Sequence, residues 1–164
     1  MLNTFTCVFF GHRNFLGHIR FEKVLRDIVT DIVKTHEFVE FLVGRNGEFD
    51  QFASSVVKHI QKEGFSDNNS LVLVLPYESA EYKNNIEYYS KYYDEIEVCR
   101  EASKAYFKAA IQVRNMKMAD RADLIICYIE RNSGGAYKAV EYAKKIGKKV
   151  INLAEIEDNY TDNY

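Results

Sequence analysis

The run Leu71-Val72-Leu73-Val74-Leu75 is apolar at every position, the pattern of a strand buried on both faces rather than on one. Thr4 to Phe10, Phe38 to Val43 and Leu124 to Ile129 read in the same way: short, rich in β-branched and aromatic side chains, and followed by a turn. Between the strands the period changes. Phe21, Val24, Leu25, Ile28, Val29, Ile32 and Val33 recur three and four apart, and so do Phe49, Phe52, Ala53, Val56, Val57 and Ile60, whose helix Gly64 closes. Strands that alternate with amphipathic helices predict a three-layer α/β fold with a mainly parallel sheet, because parallel neighbours need a crossover long enough for a helix.

The second half continues the pattern after one irregular stretch. Pro76 ends the third strand, and residues 77–94 hold six tyrosines: Tyr77, Tyr82, Tyr88, Tyr89, Tyr92 and Tyr93. Two readings of these rings are open: packing of a helical insert against the sheet edge, or a platform on which a base stacks. Glu95 to Cys99 reads as a short strand, and Ala102, Ala105, Tyr106, Ala109 and Val113 as one helix leading to Arg114. From Arg114 to Leu153 the order is helix, strand, glycine turn, helix, strand, which is a βαβ unit whose own helix spans Ala136 to Ile146. Residues 1–154 are expected to form one ligand-binding domain, and residues 155–164 an acidic, frayed tail.

Charge and cysteine content narrow the classes of function. With 22 basic and 24 acidic residues the formal net charge is −2, which argues against general nucleic-acid binding; such proteins usually carry a basic excess. Cys7, Cys99 and Cys127 show no Cys-x-x-Cys spacing, and Cys7 and Cys127 fall inside strand-like runs as small hydrophobes. Reduced thiols without a signal peptide point to the cytoplasm, and no apolar run is long enough to cross a bilayer. His12, His18, His36 and His59 are scattered without ligand spacing, so neither a metal nor a cofactor is expected.

An open parallel sheet binds its ligand beyond the carboxyl ends of the strands. Four turns there carry chemistry: Gly11-His12-Arg13, Gly44-Arg45-Asn46-Gly47, Pro76-Tyr77 and Asn132-Ser133-Gly134-Gly135. Glycines let a backbone approach a ligand closely, and a helix start presents unpaired N–H groups to an anion. A plain tight turn would read the same. Glu141 lies on the helix face of Lys138 and Lys145, where a solvated ion pair with Lys145 is the alternative to a functional role. Arg114 likewise reads either as a ligand contact or as a helix-surface arginine paired with an acidic residue.

These motifs resemble the SLOG superfamily, a Rossmann-like nucleotide-binding group that includes the cytokinin-activating phosphoribohydrolases, formerly called lysine-decarboxylase-like proteins. Those enzymes carry Arg-Lys-x-x-Met, a short strand, then Pro-Gly-Gly-x-Gly-Thr-x-x-Glu. Here Arg114-Asn115-Met116-Lys117-Met118 keeps the arginine and methionine in step, and Ser133-Gly134-Gly135 through Glu141 keeps two glycines and the glutamate. The YpsA-like branch is closer in its Gly-His-Arg after the first strand, its Arg-Asn and its Val-Glu-Tyr-Ala, here Val140-Glu141-Tyr142-Ala143. Ser133, Tyr137, Lys138 and Asn115 depart from the enzymes' proline, third glycine, threonine and lysine.

The resemblance implies a nucleotide-like small molecule as ligand, with a homodimer as the assembly. Gly11, His12, Arg13, Gly44, Arg45, Asn115, Ser133, Gly134, Gly135 and Lys138 would bind the ligand. A phosphoribohydrolase-like enzyme that cuts an N-glycosidic bond is the alternative, with Arg114 and Glu141 as its catalytic residues. A protein-interaction module with a vestigial pocket is the third reading.

Overall fold

The computed structural model describes residues 2–156. Six strands form one sheet: β1 (Thr4–Gly11), β2 (Phe38–Val43), β3 (Asn69–Leu75), β4 (Glu95–Val98), β5 (Leu124–Tyr128) and β6 (Lys149–Asn152). Their order across the sheet is β4-β3-β2-β1-β5-β6, and every neighbouring pair is parallel. The all-apolar run occupies β3, where every residue is buried, as a strand covered on both faces requires.

Helices cover both faces, giving the three layers and the Rossmann-like fold expected. On one side lie α1 (His18–Thr35) and α2 (Glu48–Lys62), which present the two apolar stripes to Phe9, Phe41, Leu71 and Leu73 of the strands. On the other lie α5 (Arg100–Lys104), α6 (Ala110–Arg121) and α7 (Gly135–Lys145), whose Ala102, Met118, Ala119, Ala139, Val140 and Ala143 pack on Val8, Leu42, Val72 and Ile125. Adjacent residues along each strand therefore serve opposite cores, as the period of two demands.

The tyrosine-rich stretch folds as two short helices, α3 (Ala80–Asn84) and α4 (Ile86–Tyr92). Tyr89 and Tyr93 are buried in the first core, and Tyr82 and Tyr92 pack against it, so most of these rings serve packing. The single helix predicted from Ala102 to Val113 is interrupted. Ala105 takes extended backbone, and a 3-10 turn at Phe107–Ala109 precedes α6. No apolar stripe runs through the break, and Tyr106 and Phe107 stay 73% and 70% exposed. The three thiols are free and buried. Among the described residues no helix is long and apolar enough to cross a membrane. The predicted tail lies outside the described residues from 157 onward.

Candidate functional site

The chain lays β2, β3 and β4 to one side of β1 and then places β5 and β6 on the other. Loops leaving β1 and β5 diverge toward opposite faces, which opens a crevice at their carboxyl ends. A cleft of about 400 Å³ occupies it.

One wall is built from two loops pressed together. A Cβ at Gly11 would lie 2.2 Å from the Phe49 ring, and one at Gly47 would lie 2.5 Å from Arg13 Cα. The backbone N–H of Glu48 donates to the Arg13 carbonyl at 2.8 Å, and the Glu48 carboxylate accepts from Phe15 N at 2.7 Å. The glycines permit this contact; any side chain would separate the loops. Arg13 is thereby held at the rim with its guanidinium exposed.

Arg114 forms part of the floor and is only 3% exposed. Its Nε donates to Asn115 Oδ1 at 3.1 Å and its Nη1 to the Val74 carbonyl at 3.0 Å. Gly44 does not line the cleft; it makes room for this side chain, since a Cβ there would sit 2.9 Å from Nη1. Burial lowers the Arg114 pKa, and Asp50 opposes that shift through its charge. An arginine at neutral pH keeps its charge despite this.

Asp50 joins the site although no sequence motif marks it. It stands in the first turn of α2, 9% exposed, and its Oδ2 accepts from Asn46 N at 3.1 Å. Burial pushes its pKa up to about 6, against the downward pull of Arg114 and of the Asn46 N–H. The sequence does hold a signal: Asp50 shares its helix face with Ala53, Ser54 and Val57, all buried. A carboxylate on an apolar face needs a reason to be there.

His12 lines the cleft as expected and also holds its loops together. It is 4% exposed, and its Nε2 accepts from the backbone N–H groups of Glu130 at 3.1 Å and Arg131 at 3.3 Å. The ring is therefore neutral with its proton on Nδ1. Burial lowers its pKa first and Arg131 adds to that, while Glu130 opposes both. His12 thereby ties the end of β1 to the loop after β5 and sets the position of Arg131.

The opposite wall is the start of α7. Ser133, Gly134, Gly135 and Ala136 line it. Gly134 has φ 96°, and a Cβ there would meet nothing within 4 Å, so backbone geometry rather than space requires the glycine. No side chain caps the helix and its first turn holds no acidic residue, which leaves its N–H groups and dipole turned to the cleft. Arg131 lines the same opening. Neither Arg13 nor Arg131 has an acidic partner among the described residues.

Besides Gly44, three expected residues lie outside the cleft. Arg45 turns to the tyrosines, 4.7 Å from the Tyr89 ring centre and 5.5 Å from that of Tyr88, and donates to the Tyr93 hydroxyl at 3.1 Å. Lys138 is exposed on α7 and does not line the cleft. Glu141 is also exposed and pairs with Lys144 at 3.6 Å, one position short of the Lys145 expected. A further feature is marked in the sequence on one side only, by Tyr77: its ring lies 5.4 Å from that of exposed Phe107, which follows exposed Tyr106 in the chain. Ile111, one helical turn beyond Phe107, lines the cleft.

No protein-family model matches this sequence, and no curated protein matches it. Solved structures do share the fold. The X-ray structure of DNA processing protein A (DprA) from Streptococcus pneumoniae superposes with a TM-score of 0.62 at 15% identity, covering 90% of this chain and 49% of that one. DNA processing protein A from Helicobacter pylori, in a structure devoted to its single-stranded DNA binding mode, gives 0.62 at 14% identity, covering 94% and 69%. This chain thus spans about half the length of the Streptococcus protein. At such identities the likeness establishes the fold.

These findings correct the family and functional expectations. The motifs suggest the YpsA-like branch and its small-molecule ligands, whereas the structures that share the fold are DNA processing proteins. The glycine turns and Arg114-Asn115 occupy the switch point of the sheet, so such short motifs do not single out one branch. The readings as a nucleotide-metabolite binder and as a phosphoribohydrolase-like enzyme fall with that branch. Glu141 is exposed and does not line the cleft that Arg114 lines. Nor does charge balance exclude nucleic acid: the Helicobacter protein, on the same fold, binds single-stranded DNA. A net charge of −2 averages over the surface and hides a cleft edged by Arg13, Arg114 and Arg131.

Proposed function

We propose that residues 1–154 form one domain that binds single-stranded DNA along the β1–β5 cleft. The observation that carries this is the rim: Arg13 and Arg131, both without acidic partners among the described residues, flank the uncapped start of α7. A backbone phosphate fits between them, taking hydrogen bonds from the N–H groups at Gly135 and Ala136. Ser133 and Gly134 bring the backbone close enough for those contacts. Neighbouring bases stack on the exposed rings of Tyr106 and Phe107 beside half-buried Tyr77, a surface that a duplex with its bases paired inside could not use. The single-stranded DNA binding of the Helicobacter neighbour supports the same reading.

Fluorescence anisotropy with a labelled oligo(dT) of about thirty nucleotides tests it, at low and at moderate salt. Binding should weaken with salt, as release of counterions requires, and should exceed binding to a duplex of equal length. The Arg13→Ala, Arg131→Ala double variant should bind at least tenfold more weakly. No binding by the native protein at low salt, or equal affinity in the double variant, refutes the proposal.

A further inference from the structure

The floor of the cleft differs in chemistry from its rim. Two side chains there are at least nine-tenths buried, a guanidinium at Arg114 and a carboxylate at Asp50. Each has bonding capacity left over. Asp50 uses Oδ2 for Asn46, and Arg114 uses Nε and Nη1, so among the described residues Oδ1 and Nη2 accept or donate no hydrogen bond. No enclosed side-chain nitrogen or oxygen among them lacks a partner, so both atoms reach solvent, and the cleft they line is where they meet it. Asn115, only 6% exposed, spends its Oδ1 on Arg114 and keeps its amide N–H groups for the same space.

A phosphate does not suit that floor, because the Asp50 carboxylate repels it. A nucleobase does, since it offers donors and acceptors side by side. The cleft, at about 400 Å³, lies within the range of sites that enclose a small ligand group. We propose that the floor takes one unstacked base of the bound strand and prefers guanine. Guanine alone presents two adjacent donors, N1–H and N2–H, to a carboxylate, with the O6 acceptor beside them for Arg114 and Asn115. Thymine offers one ring N–H, and adenine and cytosine one amino group each. Asp50 is thus a specificity-determining residue, and the inference rests on the reading of the domain as a binder of single-stranded DNA.

The test uses oligo(dT) carrying a single central dG, dA, dC or deoxyinosine, so that guanine quadruplexes cannot form. Competition against labelled oligo(dT) should rank the dG strand about tenfold tighter than dA or dC, the scale of one bidentate base contact. Deoxyinosine, which lacks the 2-amino group, should fall between them without any change to the protein. In Asp50→Asn the ranking should collapse, whereas Arg131→Ala should weaken all strands together and preserve it. Equal affinity for all four strands, or a dG preference that survives in Asp50→Asn, overturns the proposal while leaving DNA binding intact. Failure of every strand to bind overturns both.

Discussion

Arg114 Nη1 donates to the Val74 carbonyl at 3.0 Å, anchoring a buried cation to the end of a strand from the far side of the cleft floor. The bond depends on Gly44, whose missing Cβ leaves the guanidinium its place. Gly44→Ala brings a methyl group 2.9 Å from Nη1 and displaces the side chain. Overpacking of this kind costs about 1–3 kcal/mol. Urea unfolding should register that loss, and anisotropy should show weaker DNA binding; a variant equal to the native protein in both would disprove the role given to Gly44.

Asp50 gives a pH dependence of definite sign. Its folded pKa, about 6, lies above the usual value of 3.8. A raised pKa means the folded state holds the proton more tightly, so the contribution to stability is full below pH 4 and is lost as pH rises through 6. Two units correspond to about 3 kcal/mol. Asp50→Asn removes this dependence, so its stability relative to the native protein should climb between pH 4 and pH 7.5. A difference that stays flat over that range would contradict the burial described for Asp50.

Removing the His12 ring exposes what it holds. His12→Ala takes the acceptor from the part-buried N–H groups of Glu130 and Arg131, at about 1 kcal/mol for each bond lost. Thermal unfolding should move down by several degrees, and oligo(dT) affinity should drop because Arg131 loses its placement. Unchanged melting would show that the loop after β5 is held by other bonds.

The salt dependence of binding separates rim from floor. For a single strand, every phosphate the protein ceases to neutralise makes the slope of log K against log salt shallower by about 0.7. Arg131→Ala should show that change and Asp50→Asn should not. An unaltered slope in Arg131→Ala would take Arg131 off the phosphate.

Glu141 serves as the contrast. Its ion pair with Lys144 is half-exposed on both sides, and such pairs contribute less than about 1 kcal/mol. Glu141→Gln should leave DNA affinity within twofold and shift stability only slightly; a tenfold loss of affinity would return this residue to the site.

The fold is legible because hydrophobic period is a local property. β2 runs over Phe38–Val43 as the sequence predicts, and α7 begins at Gly135, one residue before its predicted start. The switch-point site is legible in part: Gly11, Arg13, Arg114, Asn115 and the Ser133–Gly135 turn converge on one cleft. What escapes is set by partners distant in sequence. Gly44 answers to Arg114, and His12 to the N–H groups of residues 130 and 131, neither of which a single strand-end motif records. Asp50 is readable from its helix face, yet motif register points instead to Glu141, which the fold leaves in solvent.

At Gly134 the constraint is one of handedness. Its φ of 96° and ψ of 171° mirror ordinary extended backbone, and the space beside its Cα is empty. A residue of the opposite hand, such as D-alanine, adopts that backbone without strain, while L-alanine does not. Chemical synthesis with D-alanine at this one position should stabilise the fold by narrowing the unfolded ensemble. Glycine at the turn therefore answers a demand of chirality, since an L side chain would find open space there but only on a strained backbone.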